Sequence, residues 1–126
     1  MLRKLIIILV VGIIMSGCTP ADLKLDIADS GRSVSLAKGG ELTITLEANP
    51  TTGYIWQTVE TDDTLLQAVG EPSFQASSSA LGAGGLQTFR YRALKRGKTL
   101  LKMVYHRPWE KDKEPIKTFT VRVSVI

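Results

Sequence analysis

The sequence predicts an all-β fold: an immunoglobulin-like antiparallel two-sheet sandwich with about seven strands and no disulfide. Apolar and polar residues alternate with a period of two along most of the chain, and no window shows the 3.6-residue period of a long helix. Turn-forming residues separate these segments at the short spacing typical of sandwiches. Cys18 is the only cysteine, so an internal disulfide is excluded and packing must hold the sheets together.

The first 17 residues predict an export signal that is not part of the fold. Arg3 and Lys4 precede an apolar run too short to span a bilayer comfortably. Met15-Ser16-Gly17-Cys18 then resembles the lipobox of bacterial lipoproteins, with methionine where that pattern usually has leucine. The resemblance implies cleavage before Cys18, lipidation of Cys18 and a short tether over residues 18–22. We therefore expect an exported protein that is lipid-anchored to the bacterial cell envelope, in the outer membrane where there are two; the alternative is an ordinary signal peptide with an unmodified cysteine.

Residues 23–126 have the length of one domain with its own core, and we expect a monomer. Without residues 1–17, which carry two basic and no acidic residues, the formal net charge falls from +4 to +2. A balance this close to neutral gives no ground for nucleic-acid binding.

Alternation assigns the strands in chain order. Strand A is assigned to the alternating residues before the Gly39-Gly40 turn. The other strands are B over 41–47, C over 54–58, a weaker D over 73–76, E over 88–93, F over 100–105 and G over 118–125. Trp56 falls on strand C, where immunoglobulin-like domains often place a core tryptophan, and we interpret it as core.

Three loops contain unusual sequences. The B–C loop reads Asn49-Pro50-Thr51-Thr52-Gly53 and leads into Tyr54; proline restricts the backbone and Gly53 permits a positive φ. The D–E loop, 77–85, contains Leu81-Gly82-Ala83-Gly84-Gly85, and the F–G loop, 106–115, contains Arg107-Pro108-Trp109. If successive strands alternate in direction, all three loops meet at one end of the sandwich. The same alternation predicts that strand A also begins at that end.

In order, spacing and strand context, these three loops resemble the chagasin-type inhibitors of papain-like cysteine peptidases. The resemblance implies a reversible, competitive inhibitor whose loops form a wedge in the protease cleft. Thr51 and Thr52 would approach the catalytic cysteine and histidine, and Leu81 an apolar pocket beside a backbone-contacting glycine run. Trp109 would lie on the primed side with Arg107 making polar contacts. The polar residues 77–80 and the acidic Glu110 depart from what the family leads us to expect.

Other classes of function have weaker support. Catalysis would depend on His106, the only histidine, without a nucleophile-elbow motif, and no His/Cys cluster is available to bind a metal. We therefore expect no enzyme activity, no cofactor and no metal. The remaining alternative is an adhesion or structural module of the cell envelope. A run of basic residues that could instead contact anionic lipid comprises Arg90, Arg92, Lys95, Arg96 and Lys98.

Overall fold

The computed structural model describes residues 20–126, which form nine β-strands in two sheets. The predicted signal peptide and Cys18 lie outside the described residues. The strands are β1 (Asp22–Leu25), β2 (Ser33–Leu36), β3 (Glu41–Ala48), β4 (Ile55–Glu60), β5 (Leu66–Ala68), β6 (Ser73–Ala76), β7 (Gly85–Ala93), β8 (Gly97–His106) and β9 (Lys117–Val125). Within the part of the chain described here, no helix is long and apolar enough to cross a membrane.

The first sheet has the order β1-β3-β7-β5, with β6 also pairing to β7, and the second has the order β2-β9-β8-β4. The predicted two-sheet sandwich is therefore confirmed. Nine strands replace the expected seven or so because strand A consists of β1 and β2, and because β5 follows a turn that alternation alone did not identify as a strand. Strands B to G correspond to β3, β4, β6, β7, β8 and β9.

The core lies between the sheets and is built from the inward-facing positions of the alternating segments. Leu42, Ile44 and Leu46 of β3 are almost completely buried, and Leu101 and Met103 of β8 face them from the second sheet. Trp56 is only 4% exposed, as predicted for a core residue, and its Nε1 donates to the carbonyl of Glu47 at 2.9 Å. This hydrogen bond joins β4 to β3 and so links the two sheets directly.

The first strand begins at the end of the sandwich opposite to the one predicted. β1 pairs in parallel with β3, with Asp22 opposite Glu41 and Leu25 opposite Ile44. The chain then crosses to the second sheet through a 3₁₀ turn at Ile27–Asp29, and β2 pairs in parallel with β9. Strand A is thus two strands that run in opposite directions. The prediction that strand A begins at the end with the three loops is therefore wrong, because the extra strand reverses the direction in which the chain enters the sandwich. The pairings of β1 with β3 and of β2 with β9 lie at sheet edges and are parallel, whereas the other strand pairings of the described residues are antiparallel.

The fold already includes residues that precede Leu23. The Pro20 carbonyl accepts from the Ala37 amide at 2.9 Å, and the Ala21 carbonyl accepts from Glu41 at 2.7 Å. Gly40 has no room for a side chain, because an added Cβ would collide with the Ala21 carbonyl. These contacts fix the start of the described chain beside the Gly39-Gly40 turn.

Candidate functional site

The B–C, D–E and F–G loops meet at one end of the sandwich. Ala48, the last residue of β3, pairs with Gly85, the first residue of β7, and Gly85 also pairs with Ala76 at the end of β6. In the second sheet, Ile55 pairs with His106, where β4 begins and β8 ends. The ends of these strands therefore place the three loops side by side.

The B–C loop is a short 3₁₀ turn over Pro50–Thr52 with Asn49 as its N-cap. Asn49 Oδ1 accepts from the Thr51 amide at 3.2 Å and from the Thr51 hydroxyl at 2.5 Å. The Thr52 hydroxyl donates to the Asn49 carbonyl at 2.7 Å. Gly53 ends the turn at φ +85°, in the left-handed region that glycine permits and that the sequence predicted. The two threonine hydroxyls therefore hold the turn together while both residues remain exposed.

Gly53 also provides the surface on which Trp109 rests. A Cβ added at Gly53 would lie 2.5 Å from Cη2 of the Trp109 indole, so any larger residue would displace the ring. Trp109 is nevertheless 66% exposed. The indole is held at its edge by the B–C loop, and most of its surface faces solvent.

Arg107 fastens the F–G loop to the B–C loop. Its Nε donates to the Thr52 carbonyl at 3.0 Å, and its guanidinium carbon lies 4.5 Å from the centre of the Tyr54 ring. Glu110 lies 3.8 Å from Arg107 Nη1 and 3.4 Å from Lys113 Nζ. Glu110, which departs from the family pattern, therefore has partners within its own loop. Pro108 is exposed between Arg107 and Trp109.

The D–E loop is a hairpin closed at its base by Ser77. The Ser77 amide and hydroxyl both donate to the Gly84 carbonyl, at 3.0 and 2.8 Å. At the tip, the Ala83 amide donates to the Ala80 carbonyl at 3.2 Å and the Leu81 side chain is fully exposed. Ser77 thus gives a structural reason for one of the polar residues that departed from the family pattern.

The glycines of the D–E loop serve different purposes. Gly82 has a φ of +75°, which favours glycine, whereas Gly84 and Gly85 are not among the glycines with positive φ. Gly84 lies under the B–C loop, where an added Cβ would be 3.3 Å from the Ala48 carbonyl. At Gly85 an added Cβ would collide with Gln75, so this glycine permits β6 to pair with β7. Of these three glycines, only Gly82 has open space around the position of an added Cβ.

Sequence reasoning missed the support that Tyr105 gives to the B–C loop. Its hydroxyl oxygen accepts from the Asn49 amide at 2.9 Å. Its ring lies between those of Tyr54 and Trp56, with centroids 5.4 and 5.1 Å away. Alternation marked Tyr105 as inward-facing on strand F, but its loop contact depends on the pairing of β8 with β4. Tyr54 likewise supports the loop from below as part of this aromatic stack.

The arrangement offers binding surface rather than reactive groups. His106 Nε2 lies 2.8 Å from the side-chain oxygen of Gln57, at the end of β8 and on the outward face of its sheet. Among residues 20–126 no three His, Cys, Asp or Glu side chains are grouped to hold a metal. The B–C and D–E loops contain no charged residue at all. A site of this kind is suited to bind a partner through complementary shape and hydrogen bonds.

Residues 35–123 match the family described as the chagasin family peptidase inhibitor I42. The chain belongs to the chagasin family of peptidase inhibitors. It is therefore an inhibitor of cysteine peptidases by family, and not an enzyme. Chagasin of Trypanosoma cruzi is 31% identical over 102 residues, covering 78% of this chain and 93% of that protein. Amoebiasin-2 of Entamoeba histolytica is 33% identical over 87 residues, covering 67% of this chain and 69% of its own length.

Solved structures of similar proteins agree with the chagasin-family fold. The crystal structure of the cysteine protease inhibitor EhICP2 from Entamoeba histolytica aligns with a TM-score of 0.77 at 26% identity, covering 87% of this chain and all of that one. PbICP-C, solved in complex with falcipain-2, aligns over 87% of this chain and 95% of that chain with a TM-score of 0.54 at 21% identity, which shows the shared fold alone.

Proposed function

We propose that the chain is a reversible, competitive inhibitor of papain-like cysteine peptidases, and that its B–C, D–E and F–G loops together fill the active-site cleft. The observation that carries this proposal is that three loops meet at one end of a rigid sandwich. Two of them, B–C and D–E, are uncharged, and the third exposes the aromatic ring of Trp109. Loops that are ordered before binding lose little conformational entropy on association. The match to the chagasin family of peptidase inhibitors supports a cysteine peptidase as the partner.

The shape of the B–C loop supports inhibition without cleavage. A substrate enters a protease cleft as an extended peptide, whereas Pro50–Thr52 form a compact 3₁₀ turn. The carbonyls of Asn49 and Pro50 accept amides from Thr52 and Gly53, and the Thr52 carbonyl accepts from Arg107. Three carbonyls of the turn are thus engaged and its backbone is curled rather than extended. We therefore expect the apex to present threonine side chains to the catalytic groups rather than a peptide bond in an extended, cleavable conformation.

The other two loops widen the contact on either side of that apex. In this proposal the exposed Leu81 enters an apolar pocket beside the catalytic groups, with the D–E backbone alongside, and the exposed face of Trp109 packs on the opposite side. Arg107 acts mainly inside the inhibitor, since Thr52, Tyr54 and Glu110 already surround its guanidinium. An interface of ordinary size for such complexes buries roughly 1,600 Å².

The direct test is inhibition of purified peptidases by residues 19–126. We expect papain to be inhibited, with an apparent inhibition constant that rises linearly with substrate concentration, as competition requires. Full activity should return on dilution. Trypsin should retain its activity, because its cleft and catalytic groups differ. Failure to inhibit papain, or equal inhibition of both enzymes, would contradict the proposal and favour an adhesion or structural role.

We further propose that the protein is exported and anchored to the bacterial cell envelope through a lipid on Cys18. The support is the lipobox-like Met15-Ser16-Gly17-Cys18 after an apolar segment. Pro20 lies at the end of the sandwich opposite the three loops. The eight residues of β3 between the two ends correspond to about 27 Å at the usual rise per residue. An anchor at Cys18 would therefore hold the loops away from the membrane.

This geometry predicts that the anchored protein associates with a protease as readily as residues 19–126 do. A papain-sized protease is about 40–45 Å across, and it would approach from the side that faces away from the bilayer. The association rate constant should agree within about twofold between protein in vesicles and soluble domain. A Gly/Ser insert between Thr19 and Pro20 should leave that constant unchanged. A slow anchored form that the insert accelerates would show that the membrane obstructs the loops.

A further inference from the structure

The two polar atoms of the Asn49 side-chain amide form hydrogen bonds with two different loops. Its Oδ1 caps the 3₁₀ turn of its own loop through Thr51. Its Nδ2 donates to the Gly82 carbonyl at 3.0 Å, across to the tip of the D–E loop. Among the hydrogen bonds of residues 20–126, this is the only one that joins these two loops. One amide group thus caps one loop and holds the other.

The F–G loop is attached to the B–C loop far more firmly. Arg107 donates to the Thr52 carbonyl and covers the Tyr54 ring, and Trp109 packs against Gly53. The D–E loop has no comparable set of contacts at its tip. No atom outside its immediate neighbours lies within 4 Å of a Cβ built on Gly82, and Leu81 is fully exposed. Gly84 packs against the B–C loop at the base of the hairpin, but in the part of the chain that the structure describes the Asn49–Gly82 bond is the one hydrogen bond that ties the tip to that loop.

We propose that Asn49 is a positioning residue that holds the D–E loop in its binding position before a protease arrives. The proposal rests on the proposed function in one respect, namely that the D–E loop contacts the protease. A loop that occupies its binding position only part of the time lowers the apparent affinity by the fraction of time it is correctly placed. Releasing Nδ2 from Gly82 should therefore weaken inhibition while the loops keep every atom that would touch the protease.

The substitution Asn49→Asp separates the two tasks of this side chain. Aspartate caps helical turns about as well as asparagine, so the bonds from Thr51 are kept. The second carboxylate oxygen, however, faces the Gly82 carbonyl oxygen without a hydrogen between them. Asn49→Ser is the matched neutral control, because serine also caps the turn but has no donor that reaches Gly82.

The first measurement concerns the free full-length chain in mild detergent and needs no protease. Backbone ¹⁵N relaxation should show lower order parameters for residues 78–83 in both variants, while residues 50–53 remain as ordered as in the wild type. Unchanged order parameters for 78–83 would overturn the positioning role. The result stands whether or not the chain inhibits papain, so failure of the proposed function remains distinguishable.

The second measurement is the inhibition constant against a papain-like peptidase from neutral pH down to about 4. At neutral pH we expect Asn49→Asp and Asn49→Ser to weaken inhibition about tenfold, the factor that corresponds to one net hydrogen bond of ordinary strength. The increase in inhibition constant caused by Asn49→Asp is compared with wild type at each pH. This increase should shrink as the carboxyl protonates near its usual pKa of about 4, because the protonated carboxyl again has a hydrogen to donate. The Asn49→Ser loss should not depend on pH.

The neighbouring titratable groups and the dependence on salt distinguish loss of the hydrogen bond from a direct effect of the new charge. The titratable groups that line the groove beside Asn49 are Glu47, Tyr105 and Lys117, and they are identical in all three proteins. A direct charge effect on the protease would fade with added salt, whereas loss of the Gly82 bond would not, so the neutral-pH loss should be the same at low and high ionic strength. A loss that vanishes in salt, an Asn49→Ser variant equal to wild type, or loosened loops with unchanged inhibition would each overturn the proposal.

Discussion

Replacing Trp109 with alanine is expected to weaken inhibition of papain by about 2–4 kcal/mol, or about 30- to 1,000-fold. The indole is 66% exposed in the free protein, which makes it a large apolar surface available to a partner. Tryptophan is among the residues that most often dominate binding at interface centres. Its location on Gly53 also means that the ring is placed before binding, so little freedom is lost when the complex forms.

The same substitution should change the melting temperature little, because the ring contributes no core contact and rests on the B–C loop only at its edge. The inhibition constant and the thermal unfolding curve of Trp109→Ala, measured on the same preparation, decide the matter. Leu81→Ala is the comparison for stability on the D–E loop: it also removes an exposed side chain that the proposal places in the interface, and it should likewise leave the melting temperature unchanged. A sharp fall in melting temperature with inhibition preserved would mean that Trp109 is a structural residue.

Replacing Trp56 with alanine should have the opposite pattern and lower the free energy of unfolding by about 3–5 kcal/mol. The side chain is 4% exposed, and its ring packs against Tyr105 with centroids 5.1 Å apart. Its removal would leave a cavity between the sheets. It would also leave the Glu47 carbonyl without its indole donor, and an unpaired partly buried acceptor adds to the cost.

Chemical denaturation of Trp56→Ala and Trp56→Phe measures these two contributions. Phenylalanine keeps most of the ring volume but lacks the N–H group, so its effect should fall between wild type and alanine. Inhibition by the fraction that remains folded should be weakened less than in Trp109→Ala, because Trp56 presents no surface to a partner. Unfolding free energies of Trp56→Ala within about 1 kcal/mol of wild type would show that the indole does not hold the sheets together.

Much of the candidate site could be predicted from the sequence because its turn chemistry is local. Asn49 and Gly53 are residue types that cap a short helical turn and end it with a positive φ, and both do so. The exposure of Trp109 in a charged loop was also predictable. The role of Gly82 was not, because two neighbouring glycines of the same loop are equally permissive and only the folded path shows which one adopts a positive φ.

The contacts between loops could not be predicted in the same way. Arg107 was expected to contact a protease, yet Thr52 and Tyr54, more than 50 positions earlier in the chain, surround it. Tyr105 likewise reaches the Asn49 amide across the two sheets. Contacts of this kind depend on how strands pair, and pairing is set by hydrogen bonds between segments that are distant in the chain.

By itself, the sequence determined the two-sheet sandwich, its core tryptophan and the family to which the chain belongs, because side-chain alternation and loop motifs are written in neighbouring residues. Only the tertiary structure decided the direction of the first strands. Alternation with a period of two is the same for a strand that runs in either direction, so it could not distinguish one strand A from the opposed β1 and β2. The parallel pairing of β1 with β3 places Pro20 opposite the three loops, and that placement determines which end of the domain an anchor would leave free.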